Sequence, residues 1–101
     1  MNEFVEKSIK IQFFGSIVGI VGKRNDQISI SKEQTRLIDI IRAMCVRYGE
    51  KFKEIALKNE ELNSGLIVFV NGQHVIDPGY GLESSGENEI QFMIASQMKG
   101  G

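Results

Sequence analysis

The chain has 101 residues, of which 42% are hydrophobic and 25% charged, and its formal net charge is -1. These values suit one globular domain with a single modest core and little room for a deep enzyme pocket. The near-zero charge argues against a nucleic-acid partner, since phosphate contacts need a basic face. One cysteine, Cys45, cannot form an internal disulfide and is typical of a reducing compartment. The polar first residues are unlike a signal peptide, and no apolar run reaches the roughly 18 residues of a membrane span, so we expect a soluble cytoplasmic protein without a membrane partner.

Alternating apolar residues predict the first two strands. After a loose start over residues 1–7, apolar and polar side chains alternate over residues 8–14, and Phe14 is an apolar exception on the outer side. A loop or short helical turn is expected over residues 15–22. Alternation resumes over residues 26–31, so the two strands should pair as an antiparallel hairpin.

A helix should follow this hairpin. Five apolar residues repeat with the 3.6-residue spacing of one helix face: Leu37, Ile41, Met44, Cys45 and Tyr48. Thr35 is a good N-cap residue, and Ser31 with Gln34 offers a rival capping box one turn earlier. Gly49 is a natural end of the helix. A second short helix is expected within residues 50–62.

Three further segments complete the predicted sheet. Residues 66–70 are a continuous apolar run, typical of a strand covered on both faces. Asn71-Gly72 favours a tight hairpin turn, with a return strand over residues 73–76. The final strand alternates over residues 89–95. The order predicts an α+β roll, in which a mixed sheet packs on one main helix and the last strand lies beside the first.

Most residues that could carry chemistry lack partners in the sequence. Gly22-Lys23 does not complete a phosphate-binding loop, because that motif requires glycine and serine or threonine where the chain has Ile17 and Arg24. His74 has no second ligand at metal-binding spacing, so we expect a surface or sheet-edge residue and no metal site. Cys45 lies on the apolar stripe of the helix and should be buried and unreactive.

The last six residues predict a different kind of site. Residues 96–101 form a polar tail without a helix or core pattern, and it reaches at most about 20 Å beyond a folded domain of residues 1–95. Gly100 and Gly101 carry no side chain, so the end of the tail can enter a narrow channel in a partner. Once activated, for example as an acyl-adenylate, a terminal carboxylate can accept sulfide or an amine. We therefore expect Gly101 to carry the chemistry and Gly100 to provide clearance.

The chain resembles a family of ubiquitin-like β-grasp sulfur carriers, and most of all the small subunit of molybdopterin synthase. The matching segments are Ile9–Phe14 with its small-residue loop, Thr35 at the helix start, Phe69–Gly72, Leu82–Ile94 and the terminal Gly100-Gly101. The resemblance covers about residues 8–101. It implies a mixed sheet that grasps one helix, with the first and last strands adjacent and parallel.

The resemblance also implies a mechanism in which the chain is a carrier and not an enzyme. A ubiquitin-activating-type adenylyltransferase would use ATP to adenylate Gly101, and a sulfur donor would convert the acyl-adenylate into a thiocarboxylate. The carrier would then insert its tail into the large subunit of molybdopterin synthase and deliver sulfur to the pterin precursor. In this scheme the carrier itself binds no cofactor, and ATP is used by the activating partner.

Two other functions remain open. Lys99 precedes the two glycines and is similar to the basic residue of ubiquitin-type modifiers. Conjugation to proteins, or sulfur delivery to a tRNA-thiolating enzyme, is therefore an alternative. A further alternative is a non-catalytic interaction domain whose two terminal glycines have no function.

The surface that would dock on a partner also has two interpretations. Ile90, Phe92 and Ile94 should face the core. The residues that then lie on the other side of the sheet are Phe14, Gln91, Met93 and Ala95 with part of residues 66–70, and Lys99 follows beyond the strand. They could form an exposed apolar patch for a partner. Alternatively, residues 50–62 cover this side.

Overall fold

The structure is a computed structural model that describes residues 7–30, 35–59, 61–82 and 87–94. Seven strands and three helices lie in these ranges. In chain order they are β1 (Lys7–Phe14), α1 (Ile17–Val21), β2 (Asn25–Ile30), α2 (Leu37–Tyr48), α3 (Glu50–Ala56), β3 (Leu57–Lys58), β4 (Glu61–Leu62), β5 (Leu66–Val70), β6 (Gln73–His74) and β7 (Asn88–Ile94).

Five strands form one mixed sheet in the order β2-β1-β7-β5-β6. β1 pairs antiparallel with β2 and parallel with β7, and β5 pairs antiparallel with both β7 and β6. The two short strands β3 and β4 form a separate antiparallel hairpin. The predicted N-terminal hairpin, and the expectation that the last strand lies beside the first, are both confirmed.

The helices cover one face of this sheet. The inward side chains of all three helices join one buried cluster with alternate residues of β1, β7 and β5. The ring of Phe52, from α3, lies edge-on to that of Phe92 in β7 at 6.2 Å between centroids, and Tyr48 from α2 contacts Phe13 at 5.8 Å. The predicted short turn over residues 15–22 and the predicted second helix therefore both exist, as α1 and α3, and both contribute to the core.

The start of α2 differs from the prediction. The helix begins at Leu37, with Arg36 in the N-cap position, so the choice of Thr35 as N-cap was wrong. The backbone N–H of Arg36 donates to Asp39 Oδ2 at 2.9 Å. Thr35 is buried one residue earlier, and its carbonyl accepts the N–H of Leu82 at 2.8 Å. The rival capping box of residues 31–34 lies outside the described residues.

The predicted end of α2 and the predicted hairpin turn are confirmed. Gly49 has a φ of 89°, and its N–H donates to the carbonyl of Cys45 at 2.8 Å. Asn71 and Gly72 have φ values of 51° and 88°. Positive φ at both central residues is what a two-residue type I′ hairpin turn requires.

The side chain of Asn71 also fastens the start of β7. Its Oδ1 accepts the backbone N–H of Glu89 at 2.8 Å, and its Nδ2 donates to Oδ1 of the buried Asn88 at 3.0 Å. The backbone N–H of Asn71 donates to the carbonyl of Glu89 at 2.8 Å. These bonds hold the strand that leads to the C-terminal tail in one register.

We expect Phe52→Ala to lower the free energy of unfolding by about 3–5 kcal/mol, because it empties a fully buried site between two other rings. Val46→Ala is the matched control, since Val46 lies on neighbouring α2 but is 87% exposed; its effect should stay within about 0.5 kcal/mol. Urea denaturation measures both values. A small loss for Phe52→Ala would contradict this description of the core.

Candidate functional site

The face of the sheet opposite the helices presents two rows of side chains. We call it the outer face. The strand register aligns Gln12, Gln91, Phe69 and His74 in one row. The neighbouring row consists of Phe14, Met93 and Ile67. Phe14 is 40% exposed, while Met93 and Ile67 are half-buried.

The character of the outer face changes along β7. Near the start of the strand, Lys10 is opposite Glu89 and forms an ion pair with Glu87 at 3.5 Å. In the middle, Gln91 Nε2 donates to Gln12 Oε1 at 2.9 Å. Towards the end of β7, the row of Phe14, Met93 and Ile67 makes the outer face apolar. The apolar end of the outer face therefore lies where the chain continues towards its C-terminus.

Within the segment 50–62, the described residues 50–59, 61 and 62 lie on the helix side of the sheet and do not cover the outer face. Phe52 in this segment contacts Phe92, whose side chain points into the core. Ala56 is also fully buried, and its carbonyl accepts the N–H of Asn63 at 2.8 Å. The interpretation in which this segment covers Phe14 and Met93 is thus wrong.

The structure brings together three of the predicted docking residues. Phe14 and Met93 are direct neighbours across β1 and β7, and Gln91 lies one row away. Lys99, Gly100 and Gly101 lie outside the described residues, so the assignments to the tail stay predictions. The polar pair formed by Gln12 and Gln91 was not predicted, because their alignment depends on the parallel register of strands 79 positions apart.

A second polar cluster joins the start of β2 to the end of α2. Asp26 accepts hydrogen bonds from the Tyr48 hydroxyl, from Arg47 Nη1 at 2.7 Å and from the backbone N–H of Gln27 at 2.8 Å. Burial raises the pKa of Asp26, but the hydrogen bonds from Tyr48, Arg47 and Gln27 outweigh it, so the pKa lies below its usual value. Burial and the bond to Asp26 raise the pKa of Tyr48 to about 12. The side chains of Asp26, Arg47 and Tyr48 connect β2 to α2, so the cluster stabilises the fold.

Cys45 lies in a cleft of about 590 Å³ on the solvent side of the helices. The cleft is lined by Arg42, Cys45, Val46, Glu50, Lys53, Leu57 and Asn59. Cys45 is half-buried, whereas the sequence predicted full burial. Burial raises the pKa of its thiol, and a thiol with a raised pKa forms less of the reactive thiolate. This agrees with the predicted lack of reactivity.

His74 is exposed on the edge strand β6, as predicted. Within the ranges given above, no three His, Cys, Asp or Glu residues are grouped so that they could hold a metal ion. None of the helices in those ranges is long and apolar enough to cross a membrane.

Solved structures share this architecture over nearly the whole chain. SAMP1 from Haloferax volcanii matches with a TM-score of 0.73 at 14% identity, covering 91% of this chain and 99% of that one. Urm1 from Trypanosoma brucei matches with a TM-score of 0.71 at 16% identity, covering 93% of this chain and 97% of that one. A Pyrococcus furiosus protein, provisionally named molybdopterin converting factor subunit 1, matches with a TM-score of 0.67 at 20% identity. The match covers 89% of this chain and 99% of that one.

No protein-family model matches the sequence, and no curated protein gives a significant sequence match. The structural similarities show that the chain has the ubiquitin-like β-grasp fold, as the sequence analysis expected. At 14–20% identity they establish the fold and not the activity.

The Asp26 cluster predicts how stability depends on pH. A carboxyl whose pKa is lowered by folding contributes stability above its unfolded pKa of about 3.9 and loses it as the pH falls through the folded value. We therefore expect Asp26→Asn to lower the free energy of unfolding at pH 7 and to flatten its decline in acid. Urea denaturation between neutral and acidic pH measures this, with Glu54→Gln, an exposed carboxylate on α3, as the control. The prediction would be contradicted if the free energy of unfolding of Asp26→Asn fell as steeply in acid as that of the unmodified protein.

Proposed function

We propose that the protein is a sulfur carrier in molybdopterin synthesis, whose C-terminal Gly101 is activated and converted to a thiocarboxylate. The observation that supports this most strongly is the position of the apolar end of the outer face. Met93 belongs to it, and eight residues further on the chain ends in Gly100-Gly101. A partner that docks on this patch has the tail within reach of its own active site, since eight extended residues span at most about 28 Å.

Activation needs a partner enzyme, because a carboxylate is a poor electrophile. A ubiquitin-activating-type adenylyltransferase joins the Gly101 carboxylate to the α-phosphate of ATP and releases pyrophosphate. Sulfide released by a sulfur donor then attacks the acyl carbon and displaces AMP, which leaves the thiocarboxylate. The chain supplies the acyl group and the docking surface, and it binds no cofactor in this scheme. We place these reactions in the cytoplasm.

The docking residues in this proposal are Phe14, Gln91, Met93 and Lys99. Phe14 and Met93 are neighbours across β1 and β7, and they would supply apolar contact to the partner. Gln91, held by Gln12, offers hydrogen bonds beside them. Lys99 contributes a positive charge next to the glycines. The recipient is the large subunit of molybdopterin synthase, into which the tail inserts.

A second candidate function is protein modification. Lys99 directly before Gly100-Gly101 supports it, and so does the fold shared with SAMP1 from Haloferax volcanii, a small archaeal modifier protein. The activation step is the same. A lysine amine of a target protein, in place of sulfide, then attacks the acyl carbon. Sulfur delivery to a tRNA-thiolating enzyme differs from the first proposal only in the recipient.

Mass spectrometry of the intact chain tests the proposal. After incubation with the activating enzyme, ATP and a sulfur donor, we expect a mass gain equal to the replacement of one oxygen by sulfur. Deletion of Gly101 should abolish the gain and leave the thermal unfolding midpoint unchanged, because a terminal glycine has no side chain to contribute to the core. Gln97→Ala, which keeps Lys99 and both glycines, is the matched control and should still gain the mass.

The outcomes separate the two candidates. A ladder of higher-mass conjugates on other proteins would replace the sulfur-carrier proposal with the modifier. The absence of any mass gain in a chain with an intact tail would contradict both. A large loss of thermal stability on deletion of Gly101 would contradict the expectation that this residue does not stabilise the fold.

A further inference from the structure

Ile76 follows β6, and its side chain is 78% exposed. The antiparallel pairing of β6 with β5 continues past the end of β6, because the N–H of Val75 donates to the carbonyl of Val68 at 2.9 Å. This register aligns Ile76 with Ile67 of β5. Val75 is buried, and neighbouring side chains of an extended chain point to opposite faces of a sheet. Ile76 therefore lies on the outer face.

Ile76 completes a line of apolar side chains that crosses the sheet from β1 to β6. We call this line the apolar row, and its members are Phe14, Met93, Ile67 and Ile76. Because neighbouring strands are about 4.8 Å apart, the backbones at the two ends of the row are about 14 Å apart. The end residues Phe14 and Ile76 are the most exposed of the four. A partner that covered these ends would remove apolar surface from water, which is favourable.

The size of the apolar row indicates what kind of partner covers it. A stable protein interface buries about 800 Å² on each side. Only four side chains form the row, and Met93 and Ile67 are already half-buried, so the row falls well short of that area. Two copies that met through the row alone would therefore not form a stable dimer. A partner that also binds the tail gains further contacts along residues 95–101, which follow directly after β7.

We propose that Ile76 is a docking residue for the enzyme that activates Gly101, and that this enzyme presents an apolar surface to the full width of the apolar row. The surface lies beside the channel that receives the tail. Its hydrogen-bonding groups face Gln12 and Gln91 in the neighbouring row. This proposal rests on the proposed function, and it extends the docking surface from β1 and β7 across the sheet to Ile76.

Two matched truncations test the role of Ile76. Ile76→Ala and Val46→Ala each shorten a highly exposed aliphatic side chain, but Val46 lies on α2, on the other side of the sheet. Calorimetric titration with the activating enzyme, in the absence of ATP, measures the dissociation constant of each variant. We expect Ile76→Ala to bind about tenfold more weakly, because it removes apolar groups that the enzyme would bury. Val46→Ala should bind as tightly as the unmodified protein, and Ile76→Leu should keep most of the affinity.

Unchanged affinity of Ile76→Ala, or an equal loss in Val46→Ala, would overturn the role of Ile76. If the unmodified protein still gains the mass of sulfur in that case, the proposed function stands and only this proposal fails. If the unmodified protein neither gains this mass nor binds the enzyme, both are overturned. A dimer of the unmodified protein that Ile76→Ala dissociates in sedimentation would also overturn the proposal, because a second copy would then cover the row. Both alanine variants should unfold at nearly the urea concentration of the unmodified protein, since both side chains are exposed.

Discussion

The parallel pairing of β1 with β7 is the contact on which the rest of the structure depends. It joins segments about eighty residues apart and forms the centre of the sheet, where Ile11 is aligned with Ile90 and Phe13 with Phe92. Parallel neighbours cannot be joined by a tight turn, so the chain between them must cross over the sheet. That crossover contains α2 and α3, which cover one face and leave the outer face to other contacts.

β7 consequently has a different role on each side. Towards the helices, Ile90 and Phe92 are completely buried and stabilise the fold. Towards the outer face, Gln91 and Met93 are only partly covered and are available to a partner. Because side chains alternate strictly along a strand, a shift by one residue would exchange the two sets. The bonds from Asn71 to Glu89 and Asn88 oppose such a shift and so protect both roles.

The parts of the fold that the sequence predicted are those that depend on local patterns. Alternation located the strands, 3.6-residue spacing located α2, and Asn71-Gly72 located the hairpin, because each of these follows from neighbouring residues. The start of α2 was missed because contacts with Leu82 and Gly81, distant in sequence, place Thr35 and Arg36 before the helix. The packing of residues 50–62 could not be decided, because their irregular apolar pattern fits either face.

The candidate site, like the fold, could be predicted from the sequence only in part. Phe14, Gln91 and Met93 could be assigned to one face from alternation alone, but their alignment required the sheet order. The Asp26 cluster had no signal in the sequence, since its members are 21 and 22 positions apart and follow no motif. The two terminal glycines, in contrast, are evident only in the sequence.

The proposed docking of a partner on the outer face can be tested without any transfer chemistry. Amide chemical shifts of isotope-labelled protein, titrated with the activating enzyme in the absence of ATP, test it most directly. We expect shift changes that concentrate at Phe14, Ile67 and Met93 and in the tail, with little change in α2 and α3. Changes that concentrate in α2 and α3, with an unaffected outer face, would contradict it.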